Sequence, residues 1–303
     1  MGCSSYLDAR VPEPIRPFTD PELSRAYLLY RPSAYDRDKE WPLVVVCHSS
    51  PGRQIREWTE LAESKGFIVL APTVEARPGM LSAKPEKQMP LQREDERHIL
   101  AAIRHASGGH RISQDRIFMR ASGETATTAL HTGLGNPEVF RAISLSDPRC
   151  SESCLTDVAT AIEPHQPVQL LYNASHPLYG QHGKQCEDWL RGQGAFVRDH
   201  MISSARSKAA AGAVTFFEDC IRTQPWIHIR VAPSEKANPR EFRFTVLCSF
   251  SPVSYRWQFG DGEESPLGEP LYSYARPGTY DVNVTVTPPK GDAHRRTKKL
   301  MVP

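Results

Sequence analysis

Arg116-Ile117-Phe118-Met119-Arg120-Ala121-Ser122-Gly123-Glu124-Thr125 is the stretch whose reading decides the fold. An apolar strand runs directly into a helical pattern, with small residues at the bend. On both sides of it, strand and helix patterns alternate. Residues 43–47 are continuously apolar, as in strands buried on both faces of a parallel sheet. Further strands are expected over 25–31, 67–71, 140–145, 168–172 and 196–202, and helices over 53–65, 92–105, 124–134, 183–191 and 209–221. Residues 73–91, with several prolines and lysines, read as an irregular loop. Strands separated by helices predict an α/β class with a mostly parallel sheet and helices on both faces.

From about Trp226 the pattern changes. Residues 242–247, 255–259 and 280–287 alternate with period two, and Gly260-Asp261-Gly262 and Pro277-Gly278 supply turns. No helical pattern appears, which predicts a small immunoglobulin-like β-sandwich over 229–303 behind an α/β domain over 25–224. The chain of 303 residues is long enough for both cores. Its formal charge of +2 implies no nucleic-acid partner and no strong attraction to a membrane surface. The basic run Arg295-Arg296-Thr297-Lys298-Lys299 reads as a solvated edge strand.

Residues 1–24 read as a leader. Gly2-Cys3-Ser4-Ser5 resembles the start of a mature bacterial lipoprotein, in which the cysteine carries the lipid. The other reading is a plain disordered leader with a chance cysteine. Myristoylation fits less well, because Tyr6 stands where Ser or Thr is needed. Of the seven cysteines, Cys150 and Cys154 can pair across a short loop, while Cys47 and Cys248 read as buried thiols in strands. Neither a metal site nor a cofactor is expected. His105 and His110 flank a Gly108-Gly109 turn, but no carboxylate is spaced to join them.

Trp257-Gln258-Phe259-Gly260-Asp261-Gly262, then Tyr274, then Pro277-Gly278-Thr279-Tyr280-Asp281-Val282, resembles the PKD domain family. The resemblance implies that Trp257 and Tyr280 are core residues. It also implies an extracellular spacer or a module for protein or glycan contact. Gly260 and Gly262 suit left-handed turn positions, and Asp261 can cap the turn amides.

The larger region resembles the α/β-hydrolase superfamily, in particular secreted esterases of the polyhydroxybutyrate-depolymerase and feruloyl-esterase kind and prolyl-oligopeptidase-like relatives. His48-Ser49-Ser50-Pro51-Gly52 stands at the family's oxyanion loop, and the stretch after Asp115 at its nucleophile elbow. In that family the elbow reads G-x-S-x-G. Here the central residue is Gly123, with Ser122 one place early; Ser122 reads as a helix N-cap or, in the alternative, as a displaced nucleophile. Ala121 and Thr125 replace the flanking glycines, and Thr125 is expected to crowd the strand–helix packing.

The acid position after the strand at 168–172 is taken by His176. The loop expected to carry the base, 203–208, has no histidine; Arg206 and Lys208 stand there, and His200 lies in the strand before it. In the oxyanion loop Ser49 replaces glycine and Pro51 has no amide to donate. Nucleophile, acid and base are thus all lost in the family's order. The reading that follows is a catalytically inactive hydrolase fold with a PKD module in the bacterial cell envelope or secreted. It would bind a protein, peptide or polysaccharide through the old cleft or the PKD domain, and would touch a membrane only through Cys3. The alternative is an active serine esterase or peptidase using Ser122, with base and acid drawn from His200, His176, His48 or Asp147.

Overall fold

The structure is a computed structural model and describes residues 15–77, 84–201, 206–234 and 238–303. It divides into two compact units between Thr223 and Gln224. Cys3 lies outside the described residues.

The first unit is built on an eight-stranded sheet. Its elements are β1 (Ile15–Thr19), β2 (Ala26–Tyr30), β3 (Trp41–Cys47), α1 (Pro51–Lys65), β4 (Ile68–Pro72), α2 (Pro85–Gly109) and β5 (Ile112–Ser122). These are followed by α3 (Ala126–Gly135), β6 (Ala142–Ser146), β7 (Pro167–Tyr172), α4 (Tyr179–Gly192), β8 (Phe196–Met201) and α5 (Arg206–Thr223). The strand order is β1-β2-β4-β3-β5-β6-β7-β8. Strands β3 to β8 are parallel; β1 pairs antiparallel with β2, and β2 antiparallel with β4.

Both faces of this sheet are covered, which is why β3 and β4 read as continuous apolar runs. On one face Ile99 of α2, Leu130 of α3 and Leu190 of α4 pack on Leu43, Val45, Met119 and Leu145. On the other, Trp58 of α1 and Phe217 of α5 pack on Val44, Val46 and Phe118.

Two expectations are corrected here. The stretch read as leader contributes β1, because Asp20 fixes the turn behind it. Asp20 accepts the amides of Leu23 at 2.7 Å and Arg25 at 3.3 Å, and lies 2.9 Å from the buried His98 Nδ1. The loop read over 73–91 also ends early, since α2 begins at Pro85. A proline in the first turn gives up no helical hydrogen bond, so Pro85 starts the helix it was taken to exclude.

The cysteine pairing differs as well. Cys150 is bonded to Cys186 of α4, across a sequence separation of 36, and Cys154 is a buried free thiol. Folding brings α4 under the loop after β6, a contact that spacing along the chain does not encode. Cys47 is buried as expected, whereas Cys248 is only half-buried.

The second unit packs two antiparallel sheets. One, ordered β13-β10-β9, comprises β9 (Ile227–Pro233), β10 (Glu241–Cys248) and β13 (Leu271–Ser273). The other, ordered β12-β11-β14-β15, comprises β11 (Ser254–Gln258), β12 (Glu264–Ser265), β14 (Gly278–Thr287) and β15 (His294–Val302). The basic run lies on β15, at the sheet edge. Phe244, Trp257, Phe259, Tyr274 and Val284 fill the core, and Tyr280 packs against it. Trp257 is fully enclosed and its Nε1–H donates to the Leu267 carbonyl at 2.9 Å, so the polar end of the ring is satisfied. Gly260 has φ +89°, and a Cβ there would meet the Asp281 backbone at 3.0 Å. Asp261 accepts the Glu263 amide at 3.3 Å and the Tyr272 hydroxyl at 2.6 Å.

Candidate active site

The bend after β5 lies at the carboxyl ends of the parallel strands, where sheets of this kind place their sites. Ser122 is the last residue of β5 in extended backbone, φ −145° and ψ 147°, opposite Ser146 of β6. Gly123 follows at φ +60°, and the chain makes one tight turn, Gly123–Thr125, before α3. The left-handed bend therefore falls on position 123. A Cβ built on Gly123 would meet nothing within 4 Å, so the position has room for a side chain and lacks one.

Ser122 does stand at the N-cap position of the Gly123–Thr125 turn, but its hydroxyl makes no cap hydrogen bond, which corrects that part of its reading. Thr125 is also different from expectation. Its buried hydroxyl lies 2.9 Å from the Cys47 carbonyl and 3.0 Å from that of Ser122. It stitches the ends of β3 and β5 together instead of crowding them.

A cavity of about 220 Å³ opens above the bend. Its wall includes His48, Ser49, Ser122, Gly123 and Asp147, so the structure brings these five expected residues together. His48 Nδ1 accepts the Ser50 amide at 2.9 Å. The proton of the neutral ring is then on Nε2, the tautomer opposite to that of a triad histidine, whose Nδ1–H is held by a carboxylate and whose Nε2 is the base. Ser50 is the N-cap of α1 and Pro51 its first residue, so the loop expected to hold an oxyanion turns straight into a helix whose first residue has no amide to donate.

His176 is not among the cavity-lining residues. It is exposed, its Nδ1 accepts the amides of Leu178 at 3.3 Å and Tyr179 at 3.2 Å, and its ring stacks on Tyr179 at 4.4 Å. It caps the start of α4, a role that needs an acceptor and no negative charge. Arg206 opens α5, but the side chains at 200 and 206, and residues 203–205, lie outside the described set.

Sequence reading missed Arg120, Arg149 and Tyr179, which also line the cavity. Arg120 had a local signal: it is the charged residue in the Ile117–Ala121 part of a strand that is buried on both faces. Burial pushes its guanidinium down to about 10, against the pull of Asp147 and Glu57. Among the described residues no group of three His, Cys, Asp or Glu is placed to hold a metal ion. His105 and His110 instead bond Tyr27 Oη and the Ala106 carbonyl, each at 3.1 Å.

Residues 223–302 match the PKD domain family. The C-terminal unit is a PKD domain. The pre-pro-metalloprotease PrtV of Vibrio cholerae is 45% identical over 53 residues, which make up 17% of this chain and 6% of that protein. The similarity thus spans a small part of the curated relative's length.

For the first unit, the Staphylococcus aureus fluorophosphonate-binding serine hydrolase FphF superposes with a TM-score of 0.52 at 12% identity, covering 67% of this chain and 96% of that one. Esterase PE8 superposes at 0.50 with 16% identity, covering 63% and 96%. The first unit has the α/β-hydrolase fold. No helix among the described residues is long and apolar enough to cross a membrane.

Proposed function

We propose that this protein is an α/β-hydrolase fold without acyl-transfer chemistry, retaining the cleft as a binding site beside a PKD interaction module. One observation carries the reading: the left-handed bend at the head of α3 is occupied by Gly123, which has no nucleophile to present. Two neighbours support it. His48 uses its Nδ1 lone pair on a backbone amide, and His176 stands where a carboxylate would orient a base. The domains are proposed to follow the two compact units, 15–223 and 224–303 of the described residues, with Cys3 as a candidate lipid-attachment site. A location outside the cytoplasm, in the envelope or secreted, agrees with the Cys150–Cys186 disulfide, since such bonds persist in oxidising compartments.

The alternative, a serine esterase or peptidase using Ser122, is favoured by one observation: Ser122, His48 and Asp147 share the cavity wall. Labelling with a fluorophosphonate probe, together with turnover of a p-nitrophenyl ester, separates the two. The inactive reading expects neither labelling nor turnover above background. Labelling that disappears in Ser122→Ala would overturn it.

A further inference from the structure

Arg120 is the residue the fold least explains. It lies two positions after Phe118 on the same strand face, beneath the bend, and is only 3% exposed. Its Nη2 donates to Ser146 Oγ at 2.7 Å and its Nη1 to Ser144 Oγ at 3.4 Å. Both partners are neutral hydroxyls. Its Nε is buried with no hydrogen-bond partner, and among the described residues no carboxylate forms an ion pair with it. A buried cation in that state is strongly unfavourable unless a counter-charge reaches it.

A second arginine repeats the pattern. The buried Nε of Arg149 also lacks a partner, while its guanidinium sits 5.8 Å from the centre of the Tyr179 ring. Its backbone is held at both ends: its amide donates to the Gly123 carbonyl at 3.0 Å, and its carbonyl accepts from Thr127 Oγ1 at 3.1 Å. The residue is thus positioned by the bend itself.

The remaining charges of the wall largely cancel. Arg53 pairs with Glu57 at 3.4 Å, and Glu124 lies 4.0 Å from Arg77. With Asp147 the wall holds three carboxylates to three arginines, two of the carboxylates being engaged by Arg53 and by Arg77, which lies outside the wall. Tyr179, Ala209 and Ala210 supply an apolar side to the same cavity.

We infer that this cavity binds a small monocarboxylate, its carboxylate taken by Arg120 and Arg149 and its apolar body laid against Tyr179 and the two alanines. A guanidinium matches a carboxylate through paired N–H donors; Arg120 spends one N–H of Nη1 and one of Nη2 on Ser144 and Ser146, and its remaining Nη hydrogens together with the Nη groups of Arg149 are the donors left for it. The assignment rests on the cleft being a binding site, and it specifies the ligand class.

The test uses the full chain, with sodium benzoate as the probe and methyl benzoate as its uncharged counterpart. Isothermal titration at low salt should give one benzoate site, with methyl benzoate at least about tenfold weaker. Arg149→Gln should weaken benzoate by about tenfold or more. Arg120→Met should abolish binding while leaving the melting temperature of the free protein unchanged or higher, because it removes a buried charge whose direct partners are only neutral hydroxyls. The inference fails if benzoate does not bind at ~10 mM, if the methyl ester binds equally well, if Arg149→Gln leaves the affinity unchanged, or if Arg120→Met clearly lowers the melting temperature. Hydrolysis is followed in the same samples: turnover of methyl benzoate sinks the inactive reading, whereas absent benzoate binding without turnover sinks only the carboxylate assignment.

Discussion

Replacing Gly123 with alanine isolates what the bend demands of its central residue. Two terms oppose each other, and the structure supplies no third. A non-glycine residue in left-handed backbone costs about 1–2 kcal/mol. Alanine also restricts the unfolded chain, which returns about 0.4–1 kcal/mol. Steric cost is absent, since a Cβ at Gly123 meets nothing within 4 Å. The expected net loss therefore lies between about 0 and 1.6 kcal/mol.

Gly183 of α4 is the control. A Cβ there would lie 2.3 Å from Tyr172 Cγ, and that ring is anchored by its hydroxyl, which donates to Glu187 Oε2 at 2.7 Å. Overpacking against a fixed ring costs about 1–3 kcal/mol or more. Equilibrium urea unfolding followed by circular dichroism reads both variants as shifts in midpoint at constant slope. A loss above about 2 kcal/mol for Gly123→Ala, or one exceeding that of Gly183→Ala, would refute an open bend strained only in its backbone.

Two further outcomes are expected. Replacing both Cys150 and Cys186 with serine opens a loop spanning 36 positions and should lower stability by about 4 kcal/mol on chain-entropy grounds; an unchanged urea midpoint would show that the bond does not form in solution. Burial disfavours charge on His131, but Glu96 at 3.2 Å and Asp157 at 3.3 Å outweigh it, so its pKa is raised above 6.5. Because the folded value is the higher one, this stabilisation is complete below pH 6.5 and is lost as pH rises through the raised value. His131→Gln should flatten the stability–pH curve across that window, and a curve of unchanged steepness would refute the assignment.

The parts of this protein legible along the chain are those written in local pattern. Continuous apolar strands separated by helices imply the parallel sheet, because a strand covered on both faces has no polar side to show. The Trp257 to Gly262 motif reads as a turn closing a sandwich, because its residues solve a local problem of backbone hand and ring burial. The left-handed turn after β5 falls on Gly123, the central residue of the five-residue frame. The readings that failed concern contacts made across the fold. The leader became β1 through Asp20 meeting His98, and Cys150 met Cys186 of α4 rather than its near neighbour Cys154. Thr125 looked too large for its site until the Cys47 carbonyl, from a different strand, was placed within reach of its hydroxyl.

The sequence by itself therefore determined the two folds and the absence of a side chain at the centre of the bend. What only the tertiary structure decided is which groups surround that bend and which of them lack partners. Ser122, His48 and Asp147 come together there while His176 turns away to cap α4. Arg120 and Arg149, 29 positions apart, meet over one cavity with a guanidinium nitrogen each unbonded. The physical reason is that apolar periodicity is a property of neighbours along the chain. Whether a buried charge is satisfied depends on every element that folds against it.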